Sequence, residues 1–240
     1  MNKTDRLPTL ALLSGGLATR LRPMTEKIPK AMIEVAGKPF VAHQLRHAAR
    51  QGIDMVVICV GYLAERIEDF VGDGSAFGLR VAYSREPPEL LGTGGALRNA
   101  LPLLGGEFLV QYGDSFLDIP YAPIIDAFRR SRRQALMTVF RNEGRWDTSN
   151  VEFVAGEIRD HNKQQRKPTM TFIDYGLGAF RADALANLPG GQRLDLSDVY
   201  RSLLAKGELA GYEVRQRFYE IGSPEGLAET DRYLRPRSEP

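Results

Sequence analysis

The feature that most constrains this chain is an alternation, from residue 9 onward, of short apolar runs with longer amphipathic ones. Leu10-Ala-Leu-Leu13 reads as a fully buried strand ending at Ser14-Gly15-Gly16. Phe40–Arg50 places Phe40, Val41, Leu45, Ala48 and Ala49 near the helical period of about 3.6 residues, and Gly52 stops it. Met55–Val60, rich in β-branched residues, is a second central strand. Residues 63–71 then read as a helix with Leu63, Ile67 and Phe70 on one face. Residues 79–83 alternate as a strand, 96–104 follow as a helix, and 108–112 form one more buried strand before Gly113-Asp114. Parallel strands need helical crossovers, so the expected class is α/β, with a mostly parallel central sheet flanked by helices.

After Tyr121 the rhythm changes. A helix at 124–130 and a strand at 135–140 are followed by period-two segments at 150–154, 157–160 and 171–174, the pattern of an antiparallel hairpin region. A last helix starts near Pro224-Glu225. With neither an internal repeat nor a low-complexity linker, residues 1–240 read as one domain with two halves, 1–120 and 121–240.

With 240 residues, 43% of them hydrophobic, the chain can bury a core, which excludes disorder as its main theme. Lys and Arg total 32 against 30 Asp and Glu, and a net charge of +2 gives no field that recommends nucleic acid. The single cysteine, Cys59, excludes an intrachain disulfide and a multi-cysteine metal site; it reads as a small buried hydrophobe rather than a reactive thiol. The longest uncharged apolar stretch, 55–64, falls short of the ~20 residues that span a bilayer. The apolar run 10–13 is too short for a signal-peptide core, so the expectation is a cytoplasmic protein with no membrane partner.

The richest stretch is 12–30. A buried strand delivers Gly15 and Gly16, and the following loop holds Arg20, Arg22, Lys27 and Lys30, stiffened by Pro23 and Pro29. Glycines let the backbone come close to a ligand and aim successive N–H groups at an anion, and Arg20 can add a bidentate grip on phosphate. On composition alone, a surface turn with solvated charges reads equally well. Other phosphate motifs fail: Gly37-Lys38 is followed by Pro39, so there is no P-loop, and no G-x-G-x-x-G opens a helix after a strand.

Gly15-Gly16-Leu17-Ala18-Thr19-Arg20-Leu21-Arg22-Pro23-Met24-Thr25, Pro29-Lys30 and Val35-Ala36-Gly37-Lys38-Pro39 together resemble the signature of the sugar-1-phosphate nucleotidylyltransferases, G-G-x-G-T-R-L-x-P-x-T, P-K and V-x-G-K-P. The likeness continues through Leu91-Gly-Thr-Gly-Gly-Ala96, Gly113-Asp114 and Glu220-Ile-Gly-Ser-Pro224, and so spans nearly the whole chain. It departs from the family at Ala18 for glycine, Ser14 for alanine and Glu220 for aspartate.

The resemblance implies a Rossmann-like nucleotidyltransferase fold, with residues 1–120 as nucleotide-binding half and 121–240 as sugar-phosphate half. The implied partners are a nucleoside triphosphate and a sugar 1-phosphate, whose phosphate oxygen attacks the α-phosphorus and releases pyrophosphate. That nucleophile is already ionised, so charge neutralisation and in-line positioning are what the protein must supply. By resemblance Arg20 and Lys30 are the catalytic cations. Leu13, Gly15, Gly16, Thr19, Arg20, Gly92, Thr93 and Gly94 would hold the nucleotide, and Lys30, Asn150, Lys163, Asp174 and Gly176 the sugar phosphate. Lys167 competes with Lys163 for that place.

Asp114 and Glu220 are the implied ligands of Mg²⁺, whose hardness suits carboxylate oxygens. Without the resemblance, Asp114 reads as a strand-end turn residue, Glu220 as a solvated strand charge and Asp174 as an edge-strand carboxylate. Upstream of Gly92 the text Glu86-Pro-Pro-Glu-Leu-Leu91 lacks the glutamine frequent in pyrimidine-specific relatives, and Leu-Gly-Thr-Gly-Gly-Ala is similar to guanylyltransferases acting on mannose- or heptose-1-phosphate. GTP is the donor this implies; UTP, CTP and dTTP are the alternatives. A catalytically silent nucleotide-sugar binder, motivated by Ala18 and Glu220, and a nicotinamide-dependent oxidoreductase are the competing classes.

Three other groups read as structural. His43 and His47 are four apart, but Gln44 stands where H-E-x-x-H needs glutamate. Arg129, Arg130, Arg132 and Arg133 form a solvated helix end favoured by the dipole. Trp146 either supports the sugar pocket or covers the hairpin.

Overall fold

The computed structural model describes residues 7–16, 21 and 23–237. Strand β1 (Thr9–Leu13) is buried on both faces, as its unbroken apolar run requires. A small hairpin of β2 (Glu34–Val35) and β3 (Lys38–Pro39) leads into α1 (Phe40–Arg50), which is followed by β4 (Met55–Val60). Helix α2 (Ala64–Val71) turns inward Ala64, Ile67 and Val71 rather than the expected Leu63, Ile67 and Phe70. Leu63 precedes the helix in a left-handed conformation (φ 55°), which shifts the phase of the turn and leaves Phe70 exposed.

Strand β5 (Arg80–Arg85) and helix α3 (Gly92–Leu104) come next, and α3 begins four residues before the expected start, so its first turn is made of Gly92-Thr-Gly-Gly95. Strand β6 (Glu107–Tyr112) is followed by the short β7 (Ser115–Phe116), α4 (Ala122–Ser131) and β8 (Ala135–Arg141). Strands β9 (Val151–Val154) and β10 (Glu157–His161) form the expected antiparallel hairpin.

Strand β11 (Phe172–Arg181) runs seven residues past the expected end at 174 and lies inside the sheet, so Asp174 is not on an edge. A single-turn helix α5 (Asp183–Ala186) follows. Helix α6 (Leu196–Ala205), capped by Asp195, and strand β12 (Leu209–Val214) were not anticipated. Strand β13 (Tyr219–Glu220) pairs with β7, and α7 (Pro224–Leu234) carries Pro224 in its first turn with Ser223 as cap.

Among the described residues, nine strands make one sheet. β5-β4-β1-β6 are parallel, β11 lies antiparallel between β6 and β8, β12 runs parallel to β8, and the β9–β10 hairpin joins at the start of β11. Leu10, Leu12, Val56 and Ile58 pack with α1, α2 and α4 on one face, while Ala11, Val57 and buried Cys59 pack with α3 and α6 on the other. The arginine cluster is less solvated than expected: Arg129 pairs with Glu107, and Arg133 bonds Glu157 at 2.9 Å and Leu209 O at 2.7 Å, tying α4 to the sheet. No described helix is long and apolar enough to cross a membrane.

Candidate active site

Open α/β sheets present ligands just beyond the carboxyl ends of their parallel strands. Here those ends converge: Ser14-Gly15 after β1, Gly61 after β4, Glu86 after β5 and Gly113-Asp114 after β6. The backbone is drawn together there by Ser14 N–H donating to Cys59 O (2.9 Å) and Gly113 N–H donating to Leu13 O (2.9 Å). The space they enclose is about 360 Å³, lined among others by Leu13, Gly15, Gly16, Lys30, Glu86, Gly92, Thr93, Tyr112 and Asp114.

Several expected nucleotide contacts therefore share one pocket. A Cβ on Gly15 would displace the Glu86 carboxyl from where it stands, so the glycine leaves that side chain its place against the β1 turn. At the opposite wall Gly92 adopts φ +71°, and a Cβ would stand 2.7 Å from Leu194 O, so the start of α3 lies flat on residues 192–195. Thr93 lines the pocket while its hydroxyl accepts from Leu196 N–H at 2.8 Å. Gly94 is set back from the pocket lining, its N–H donating to Leu194 O. Thr19 and Arg20 lie outside the described residues.

Lys30 opens a one-turn 3-10 helix after Pro29, which points its side chain across the pocket floor. Its Nζ lies 2.8 Å from Asp114 Oδ2, and a Cβ on Gly222 would come within 3.1 Å of it. Glu220 is brought to the same place by the β7–β13 pairing, opposite Ser115, with Ile221 N–H donating to Asp114 O at 2.9 Å. The Glu220 carboxylate accepts from Gly222 N–H and, at 2.7 Å, from Ser223 Oγ, so it also braces the start of α7. Asp114 is held from beneath: Gln44 Nε2 and Gln111 Nε2 both donate to Ser115 O at 2.9 Å, and the Tyr121 hydroxyl donates to Gln111 Oε1 at 2.7 Å.

Two carboxylates beside one ammonium suit a hard divalent cation that takes its remaining ligands from water and phosphate. Among the described residues no three His, Cys, Asp or Glu side chains gather as a metal cage. His43 and His47 are occupied structurally: His43 Nε2 lies 2.7 Å from Val35 O, His47 packs edge-on to Phe116 and Tyr121, and burial holds both imidazoles below their usual pKa.

The residues expected on the sugar side are contiguous. Asn150 Oδ1 accepts from Asp174 N–H (3.0 Å), Asp174 Oδ1 from Gly176 N–H (3.1 Å), and Asp174 Oδ2 from the Tyr112 hydroxyl (3.1 Å). Tyr112 in turn lines the pocket, which links the two halves of the site. A break in register between Asp174 and Gly178 bends β11 at this point. Lys163 Nζ stands 5.6 Å from the Tyr112 ring centroid and 3.9 Å from Asp195 Oδ1, whereas Lys167 is paired with Asp160 at 2.6 Å, away from Tyr112.

Sequence reasoning did not place Glu86 in the site. Its Oε2 accepts from Leu91 N–H at 2.9 Å, and its other oxygen faces Gly15. Burial pushes its carboxyl above the usual range, against the opposing effect of the Leu91 bond. The signal was present: a carboxylate immediately after a parallel strand, just ahead of a glycine-rich helix start.

The family model described as nucleotidyl transferase matches residues 11–235. The N-acetylmuramate alpha-1-phosphate uridylyltransferase of Neisseria meningitidis serogroup B is 44% identical over 220 residues, covering 88% of this chain and 92% of that one. The mannose-1-phosphate guanylyltransferase of Mycobacterium tuberculosis is 29% identical over 238 residues, covering 94% of this chain and 65% of its own. In fold the chain is similar to HddC from Yersinia pseudotuberculosis complexed with GMP-PN, with a TM-score of 0.79 at 22% identity, over 95% of this chain and 100% of that one. With its glycine-rich entry, Lys30 and Asp114 gathered on one pocket at the strand ends of a Rossmann-like sheet, the chain belongs to the nucleotidyl transferase family, among the sugar-1-phosphate nucleotidylyltransferases.

Proposed function

We propose that this protein transfers a nucleoside monophosphate from GTP to a mannose- or heptose-type sugar 1-phosphate, giving a nucleoside-diphosphate sugar and pyrophosphate. The observation that carries the reaction is the convergence of the β1 turn, Lys30 and Asp114 on one pocket, contiguous through Tyr112 with Asn150 and Asp174. Arg20 and Lys30 neutralise the two polyanions, Lys30 between the α-phosphate and the incoming sugar phosphate. The backbone at Gly15 and Gly16 approaches the triphosphate, and the start of α3 receives the nucleoside. Asn150, Lys163, Asp174 and Gly176 orient the sugar phosphate. Asp114 and Glu220 would hold Mg²⁺, which supplies Lewis-acid neutralisation of phosphate charge.

The choice of GTP is supported by Glu86. An ionised carboxylate only accepts hydrogen bonds, and the guanine edge offers N1–H and N2–H side by side. Uracil presents one N–H flanked by two carbonyls, which repel that carboxylate. Glu86→Gln is therefore expected to lower kcat/KM for GTP by about tenfold or more, since a mismatched buried polar group is costly, and to raise the relative use of UTP. Because the Glu86 carboxyl titrates above its ordinary range, the wild-type preference for GTP over UTP should grow as pH rises and the group ionises. The glutamine variant should show a flat ratio. A wild-type ratio independent of pH and unchanged in the variant would remove Glu86 from base selection.

A second reading, UTP as donor and N-acetylmuramate 1-phosphate as acceptor, is favoured by the 44% identical relative of that activity. Crossing four nucleoside triphosphates with mannose-, heptose-, glucose- and N-acetylmuramate-1-phosphates, with product mass as the readout, decides between them. Absence of product in every combination would leave the silent nucleotide-sugar binder.

A further inference from the structure

Trp146 is the one tryptophan of the chain and lies between β8 and β9, four residues before Asn150. That connection is bonded largely to itself and to the approach to β11. Asn142 Nδ2 donates to Ser149 Oγ (3.2 Å), Trp146 N–H donates to Asn142 Oδ1 (3.2 Å), and the N–H groups of Asn142 and Glu143 both donate to Thr171 O. None of these bonds uses the indole. It is 42% exposed and meets Arg217 instead, whose guanidinium carbon stands 3.6 Å from the ring centroid.

The same guanidinium lies 4.6 Å from the Tyr219 centroid, while Tyr219 stacks on Tyr233 of α7 at 3.8 Å with 19° between the rings. At its edge Arg217 donates to Glu229 Oε2 at 2.7 Å. A planar cation can serve two aromatic faces and a carboxylate at once, which an ammonium cannot. The result is a column, Trp146–Arg217–Tyr219–Tyr233, from the connection that ends at Asn150 to the strand that carries Glu220. β9 pairs with β10 and β11, and β13 pairs with β7, so no strand ladder joins these two segments directly.

We infer that this column is a latch, and that Trp146 and Arg217 are positioning residues setting the acceptor side of the site, Asn150 and Asp174, against the carboxylate pair Asp114 and Glu220. The inference rests on the reaction proposed above. In-line transfer is sensitive to displacements of about an ångström, so slack between these two segments falls on acceptor binding and on the chemical step. Among the described residues, the triphosphate side, built from the β1 turn, Glu86 and the start of α3, takes no part in the column.

The test measures kcat, both KM values and melting temperature for Trp146→Ala, Trp146→Phe, Arg217→Ala and Arg217→Lys, with pyrophosphate release as the assay. Trp146→Ala and Arg217→Ala are expected to raise the sugar 1-phosphate KM and to lower kcat, each by about tenfold, with the triphosphate KM held within about twofold. Trp146→Phe should recover most of the loss, and Arg217→Lys, which keeps the charge without the plane, should not. The latch is overturned if acceptor KM and kcat stay near wild type in both alanine variants, or if both KM values rise together in step with a lost melting temperature.

Should the wild type release no pyrophosphate with any substrate pair, the proposed reaction fails, and the column is judged by Trp146 fluorescence alone. Arg217→Ala should then red-shift the emission and increase its quenching by acrylamide. Unchanged emission and quenching would sink the column itself.

Discussion

Lys30→Ala is expected to cut turnover by about 10²–10³-fold with the fold intact, the range seen when one preorganised stabiliser of developing charge is removed. The reaction must bring a sugar phosphate against the α-phosphate of a triphosphate. At ~4 Å and an effective dielectric near 20, each such pair of like charges costs about 4 kcal/mol. Each factor of ten in rate corresponds to about 1.4 kcal/mol, so the loss of one well-placed cation is enough for the expected fall. Lys30 is suited to that place because its side chain is only 18% exposed and its partner Asp114 holds it at the pocket floor. Stability should barely move, since a pair that is partly open to water contributes about 0–1 kcal/mol. Lys30→Arg should recover little, because a planar, more diffuse guanidinium does not reproduce a compact ammonium at the place where Nζ meets Asp114. Pyrophosphate release at saturating concentrations of both substrates, beside a thermal melt, checks this, and Arg20→Ala should behave alike. Near-normal release from Lys30→Ala would reject the proposed role of the lysine.

How much of this arrangement could be read beforehand depended on where the information lies in the chain. Met55–Val60 and Phe40–Arg50 were legible to the residue, because a strand buried on both faces is apolar throughout and the apolar residues of the helix repeat near its own period, although His43, Gln44 and His47 are buried too. The inner face of α2 was misread because left-handed Leu63 resets the phase, and nothing in the local pattern announces that conformation. Strand β11 looked short because its second part, Gly176-Leu-Gly-Ala-Phe, is buried on both faces and interrupted by glycines, so alternation stops at Asp174 although the strand does not. Helix α6 left a readable trace in the Asp195 cap and in Leu196, Val199, Tyr200 and Leu203.

At the site, the glycine-rich turn and the position of Asp114 at a strand end follow from general rules, whereas the roles of Lys30 and Glu220 came only through resemblance. Glu86 stands where pyrimidine-specific relatives often have glutamine, and a lone carboxylate in a Pro-rich turn carries no motif of its own. Contacts between distant segments carry no local signature. Glu220 opposite Ser115, in the separate two-stranded β7–β13 ladder, and Trp146 on Arg217 each join segments about 70 to 105 residues apart, so no window of sequence could have shown them.

Asp114→Asn is expected to reduce turnover by orders of magnitude and to leave a residual rate that excess Mg²⁺ does not restore. The isosteric amide keeps the hydrogen bond from Ser115 Oγ (3.3 Å) and the turn pinned by Gln44 and Gln111. What it removes is the charge, both toward Lys30 and toward the proposed divalent cation. Losing one of the two proposed carboxylate ligands leaves the cation to Glu220 and the phosphates. The wild type should lose activity in EDTA and regain it with Mg²⁺.

Glu220 separates binding from folding differently. Its carboxylate also receives Gly222 N–H and Ser223 Oγ at the start of α7, so Glu220→Ala should lower the melting temperature as well as the rate. Removal of such a terminal bond typically costs about 1 kcal/mol. Glu220→Asp, the residue usual in the family, should keep most of the rate while its shorter reach gives up part of that bracing. Wild-type activity undiminished by EDTA, or an Asp114→Asn variant that turns over at the wild-type rate with Mg²⁺ supplied, would sink the metal assignment, and with it the pairing of these two carboxylates as a single working unit.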